Sequence, residues 1–293
     1  MPVPLPSPAL GTEVRQLPFT HFTVLLQPDR RLAVVTGVNL DGSRLLDLER
    51  GNDWHLDPRV PASEQVGPAV YADNDLDRGH LVRRRDPVWG EPAEAAQANV
   101  DSFSYVNAAP QAAEFNQGEL LWAGLEDYVL QHAQTYQQRL SVFTAPVLAV
   151  DDPVYRGVAI PRRFWKVVAW AAAGSDGEPV LAAAGYLLDQ SEQLDAVLRA
   201  ESATVGAPEP PPLGPYLTYQ VPLVDIATLT GVDLGPLLAA DRMGAPAPVP
   251  APTLRAGSAE VGNRWIELRD LSDMQLGAAG ASAAPPDAPP PHC

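Results

Sequence analysis

The chain has 293 residues and a mass of 31.3 kDa, enough for one large domain or two small ones around a sizeable core. It is 46% hydrophobic and 19% charged, which excludes a chain disordered throughout, and it has no run of 18 apolar residues to form a membrane-spanning helix. With 36 acids against 20 bases the formal net charge is -16, which repels nucleic acid at long range, so a polyanionic substrate calls for a local basic patch and a cation.

The single cysteine, Cys293, excludes an intrachain disulfide and a multi-cysteine metal site. The opening MPVPLPSPALGTE has no basic start and no long apolar run, so no secretory signal is visible and the cytoplasm is the default location. Residues 1–14, with four prolines in the first eight positions, read as an irregular arm. From Phe19 the segments FTHFTVLLQ and LAVVTGVNL, joined by PDRR, predict a β-hairpin. Pro58 and Pro61 in DWHLDPRVP predict an extended loop, and Asn99–Val106 a short strand. Alanine-rich Ala112–His132 is the best helix candidate, with Leu121, Leu125, Tyr128 and Val129 at helical apolar spacing. Strands are expected at Leu140–Val150, Trp165–Ala173, Leu181–Leu188 and Tyr219–Val224, and short helices at Ile226–Leu229 and Leu234–Asp241. A proline-alanine linker starts at Gly244, a weak helix is expected from Glu267, and disorder from Ser282. Strands, one long helix and further strands point to an α+β domain over residues 15–243, followed by a linker and tail over 244–293.

Side chains suited to chemistry concentrate in two places. NDLDRGHLVRRRDPVWG, from Asn74, carries Arg78, Arg83, Arg84 and Arg85, whose guanidinium groups match phosphate oxygens. His80 lies among them. Its unperturbed pKa sits nearest neutrality, and adjacent arginines favour the neutral ring that a general base requires. A solvated basic turn with an incidental histidine is the bland alternative. NAAPQAAEFNQGELLWAGLEDY, from Asn107, supplies Asn107, Gln111, Asn116, Gln117 and Glu126. A neutral oxygen such as that of Asn116 suits a hydrated Mg2+; helix capping is the alternative for Asn116, and solvent for Glu126. Trp122 and Glu126, four apart, share a helix face, with Trp122 reading as core. Arg50 reads as a surface-loop residue, and the only lysine, Lys166, as a solvated strand end. His21, His55, His132 and His292 have no paired acid or metal-like spacing, and no nucleotide-binding glycine loop, HExxH or GxSxG occurs.

Together the two segments resemble the DNA/RNA non-specific endonuclease family, which includes secreted bacterial nucleases and mitochondrial endonuclease G. The carriers are the Asp77-Arg78-Gly79-His80 tetrad, then Asn107, Pro110-Gln111, Asn116-Gln117-Gly118 and Leu125-Glu126, with weaker similarity from Phe19 to Asp241. The resemblance implies a ββα-metal finger on a central mixed or antiparallel sheet with flanking helices. It implies His80 as general base and Asn116 as the sole direct protein ligand of Mg2+, with Mn2+ able to substitute. Glu126 would hold metal-bound waters, Arg78 and Arg50 would contact phosphate, and Asn107 would support the site. The implied reaction cuts DNA or RNA to 5′-phosphate and 3′-hydroxyl ends with little sequence preference; a catalytically weak nucleic-acid-binding or interaction module is the alternative. DNA or RNA are the implied partners and a membrane is not, while a homodimer and a protein inhibitor stay open. Two features depart from the family pattern. Trp122 and Glu126 come six and ten residues after Asn116, where four and eight are common, and Leu130 replaces a frequent arginine. The extra pair predicts a break in the helix between Asn116 and Trp122 that keeps Glu126 facing the metal waters.

Overall fold

The computed structural model describes residues 3–113, 130, 133–135, 137–202, 217–243, 265–269 and 273–274. Their strands are β1 (Arg15–Pro18), β2 (Phe22–Gln27), β3 (Leu32–Asp41), β4 (Leu76–His80), β5 (Ala108–Ala112), β6 (Arg139–Val147), β7 (Val154–Tyr155), β8 (Val158–Ala159), β9 (Arg163–Ala173), β10 (Pro179–Asp189), β11 (Leu217–Val221) and β12 (Ile266–Glu267). The helices are α1 (Pro92–Ser102), α2 (Ser191–Ser202) and α3 (Leu223–Thr230). Eight strands form one antiparallel sheet in the order β1-β2-β3-β6-β9-β10-β11-β12. This is the α+β architecture expected, with a central sheet and flanking helices.

The central strands read as nearly continuous apolar runs because both faces of the sheet are covered. On one face Val24, Leu26, Leu40, Val142, Phe164 and Val168 pack against Leu76, Leu81 and Val106 from the β4–β5 region. On the other, Val35, Phe143, Trp165, Val167 and Leu187 pack against Leu223 and Ile226 of α3. The expected hairpin and the strands β6, β9, β10 and β11 are present within a few residues of their predicted limits. The β4–β5 ribbon, a separate two-stranded antiparallel unit, therefore rests on a well-packed floor.

Several expectations need correction. Asn99–Val106 is not a strand: α1 runs to Ser102, and a 3-10 turn covers Tyr105–Asn107. Helix α1 starts on a reciprocal Glu91–Glu94 capping box with Pro92 in the first turn. Its buried face is Ala95, Ala98 and Ser102, too weakly apolar to show as a helical stripe. Lys166 is not a solvated strand end but only 2% exposed, opposite Thr144 and Tyr186 in mid-sheet. His21 does have an acid beside it, with Nε2 3.0 Å from Glu94. Most of the segment from Glu267, where a weak helix is expected, lies outside the described residues; at its start Ile266–Glu267 pairs with β11, Leu268 is buried, and Trp265 Nε1 donates to Asp225 at 2.9 Å. The packed body thus takes in residues beyond 243. The helix expected over Ala112–His132 lies mostly outside the described residues, as do the proline-alanine linker and the segment from Ser282.

Candidate active site

Asn74 starts the ribbon by accepting from the Leu76 N–H through Oδ1 at 2.9 Å. The strand then pairs residue for residue with β5, from Leu76 opposite Ala112 to His80 opposite Ala108. Side chains alternate across such a ribbon, so Arg78 and His80 share one face. Gly79 sits between them for a steric reason. A Cβ there would lie 2.1 Å from the Gln111 side chain, whose amide is laid against the backbone. Gln190, between β10 and α2, ties the second strand to the sheet. It accepts from the Ala112 N–H at 2.9 Å and donates to Pro161 O at 2.6 Å and to Pro110 O at 3.3 Å.

Asn107 secures the other end. Its Oδ1 accepts from the Val82 N–H at 2.9 Å, and its Nδ2 donates to Val82 O and Ser102 O, each at 3.0 Å. The side chain is fully buried. Its amide is engaged by backbone alone, which leaves it to hold the turn after His80 against α1 rather than to touch a substrate.

His80 ends the strand inside a box of aromatic rings. Trp54 lies 4.7 Å away between centroids, tilted by 47°, and Phe103 meets the imidazole edge-on at 5.3 Å. The ring as a whole is half-buried, yet Nε2 is shut off from solvent with no hydrogen-bond partner among the described residues. Desolvation, followed by the charges of Arg50, Arg84 and Arg78, lowers its pKa from 6.5 to about 3. The imidazole is accordingly neutral at pH 7, the state in which it can take a proton.

The arginines arrive from three directions. Arg78 is exposed on the ribbon, its guanidinium 5.5 Å from the Trp54 ring. Arg84, from the following turn, donates to Leu48 O at 3.0 Å and Asn99 Oδ1 at 3.1 Å, which pins the loop before Arg50 to α1. Burial, then Arg85 and Arg50, depresses the Arg84 pKa, the mark of crowded positive charge. Arg50, which reads from the sequence as a surface-loop residue, is brought close enough for its charge to act on His80. A chain of charge -16 has thus gathered three guanidinium groups around one neutral histidine.

Among the described residues no three His, Cys, Asp or Glu side chains are grouped as a metal site. Gln111, 1% exposed and with neither polar atom partnered among the described residues, stands opposite Asp77 on the face of the ribbon away from Arg78 and His80, so its amide is no donor to that site. A cation at this site would be one that keeps most of its water and takes few protein ligands, as Mg2+ does. Asn116, Glu126 and Trp122, with the expected helix break between them, lie outside the described residues. Sequence reasoning missed Trp54, Phe103 and Gln190 as parts of this site. Trp54 stands in an extended loop with no local mark of a site, and nothing local marks a glutamine 80 residues from its partner.

The fold and site together define an α+β scaffold whose antiparallel sheet carries a β-ribbon, with a neutral histidine and several arginines at the ribbon's end. The DNA/RNA non-specific endonuclease family model matches residues 4–241, and the chain belongs to that family. Over 271 residues it is 39% identical to an uncharacterized protein, y4fB, of Sinorhizobium fredii strain NGR234, covering 84% of this chain and 40% of that one. It is 31% identical over 154 residues to mitochondrial endonuclease G of Bos taurus, covering 48% of this chain and 47% of that protein. The chain therefore spans less than half the length of either relative. A crystal structure of the EndoG/EndoGI complex shares the fold, with a TM-score of 0.51 at 18% identity, covering 75% of this chain and 84% of that one.

Proposed function

We propose that the protein is a metal-dependent endonuclease that hydrolyses phosphodiester bonds of DNA and RNA with little sequence preference, leaving 5′-phosphate and 3′-hydroxyl ends. The observation that carries this reading is the neutral His80, enclosed by aromatic rings and surrounded by Arg50, Arg78 and Arg84.

The steps follow from the residues. Arg78 and Arg50 bind the non-bridging oxygens of the phosphate and turn the phosphorus toward His80. Nε2 is buried, and the proton transfer is assigned to the other ring nitrogen, Nδ1. His80 accepts a proton there as water attacks phosphorus; the opposite bond from phosphorus to the 3′-oxygen breaks, and that oxygen takes a proton from solvent to become the 3′-hydroxyl. Asn116 would hold Mg2+, or Mn2+ in its place, with Glu126 among its waters, and the bound cation would neutralise charge on the phosphate and the leaving oxygen. Asn107 and Gln190 keep the ribbon rigid while this happens. The contacts go to the backbone of the nucleic acid, so base identity is read weakly. On the same reading a protein inhibitor, of the kind the EndoG/EndoGI complex contains, would act by covering the arginine cleft.

The test is His80→Ala against wild type on an end-labelled duplex and an RNA strand. The variant is expected to lose about 10²- to 10⁴-fold in turnover, with its melting temperature little changed. Wild-type turnover in a folded variant would remove His80 as the base.

A further inference from the structure

Trp54 is half-exposed, and neither it nor Phe103 nor Tyr105 belongs to the two apolar clusters that hold the sheet together. These rings instead pack on one another. Trp54 meets Phe103 edge-on at 5.4 Å and Tyr105 at 5.6 Å, and Tyr105 stacks on Tyr71 at 6.0 Å. What they enclose is His80.

The chain takes trouble to place the tryptophan. The neighbouring residue His55 forms a parallel bridge with Ser104, its N–H bonding Phe103 O at 3.2 Å and its carbonyl accepting from Tyr105 N at 2.9 Å. Gly51 lies 3.6 Å from the Phe103 ring at the position of a Cβ, so the loop runs flush against the same wall. An extended segment would otherwise be free to swing, and two backbone hydrogen bonds prevent it. Behind the imidazole, Nε2 is shut off from solvent. In front, Arg78 lies over Trp54 at 5.5 Å, so one indole contacts both the histidine and a phosphate-facing cation.

We propose that Trp54 is a positioning residue for the reaction: it fixes the plane of the His80 imidazole, closes its Nε2 side to water, and aligns Arg78 beside it. The claim rests on the reading of His80 as the base. It follows from what a free imidazole would do. A histidine at the end of a strand has two soft torsions, and its half-exposed ring would sample rotamers that turn Nδ1 away from the phosphate. The tilted indole and the edge-on phenyl leave the ring one orientation. A base misplaced by about 1 Å costs about 10²-fold, so the loss should appear in turnover and not in substrate affinity.

The experiment compares Trp54→Phe, Trp54→Leu and Trp54→Ala with wild type in steady-state cleavage of a duplex, together with the 1H–13C signals of the His80 ring in substrate-free protein. Trp54→Ala is expected to lose about 10- to 100-fold in kcat with KM changed by less than about threefold. Trp54→Phe should recover most of the loss, while Trp54→Leu, similar in bulk but without a flat ring, should not. The His80 ring signals should be shifted by the indole in wild type and move toward free-histidine positions in the alanine and leucine variants. Should the alanine variant fail to fold, the phenylalanine and leucine pair makes the same comparison. Unchanged kcat, a loss carried by KM alone, or a leucine variant as good as phenylalanine would overturn the proposal. The ring signals separate the two claims: absent cleavage in wild type counts against the nuclease reading, while unmoved His80 signals count against the role of Trp54 whatever the activity.

Discussion

Replacing Asn107 by alanine removes three buried hydrogen bonds at one point. The Val82 N–H loses its acceptor, and the carbonyls of Val82 and Ser102 each lose a donor. A buried N–H left without a partner costs about 1–3 kcal/mol, and carbonyls, which have a second lone pair, somewhat less. Together the loss should come to about 3 kcal/mol, which for a domain of this size lowers the melting temperature by roughly 6–12 °C. Asn107→Asp should be at least as damaging, since it keeps the acceptor but supplies no donors and brings a charge into a fully buried site. Urea unfolding of wild type and both variants, read by tryptophan fluorescence, measures the loss. Cleavage below the melting point should fall as well, because Val82 follows His80 by two residues and its backbone sets the end of the ribbon. A loss of stability below about 1 kcal/mol would refute the reasoning, since it would mean that water replaces the amide at no cost and that Asn107 does not clamp the turn.

Other outcomes follow from the same structure. Binding to a non-cleavable duplex should weaken steeply between about 50 and 200 mM salt despite the net charge of -16, and Arg78→Ala should flatten that slope; a salt-independent affinity would make the arginine ring solvated surface. The folded His80 ring resists a proton that the unfolded chain takes up near 6.5, so stability is fully present above that pH and falls as the pH drops toward about 3. Urea midpoints between pH 7 and 4 should decline less steeply in His80→Asn, and parallel curves would contradict the depressed pKa. Ending the chain at Met243 removes β12, buried Leu268 and the Trp265–Asp225 bond, and should cost about 2 kcal/mol or more in thermal unfolding relative to a chain ending at Met274; equal melting temperatures would show that this strand adds nothing.

The parts readable from sequence are those written in local chemistry. Strands β3, β6, β9 and β10 are covered on both faces and so appear as long apolar, β-branched runs. The Asp77-Arg78-Gly79-His80 tetrad occupies one strand, so its two reactive side chains fall on one face by the pleat alone. What escaped is tertiary. Helix α1 turns alanines to the core, and alanine at the buried positions leaves no contrast against an alanine-rich surface. Lys166 lies buried in mid-sheet, against the usual preference of lysine for the surface. Trp54 reaches His80 through the His55–Ser104 bridge, a pairing that no spacing announces. Arg50 reads as an ordinary loop arginine until the Arg84 contacts with Leu48 and Asn99 draw its loop onto α1.

The measurement that bears most directly on the central claim is cleavage of supercoiled plasmid, single-stranded DNA and RNA by the purified chain, with Mg2+ and with EDTA, followed by analysis of the product ends. The account expects internal cuts in all three substrates with Mg2+, 5′-phosphate and 3′-hydroxyl termini, no cleavage in EDTA, and recovery on adding Mg2+ or Mn2+ back. Intact substrates with Mg2+ present, or cleavage that proceeds equally in EDTA, would contradict it.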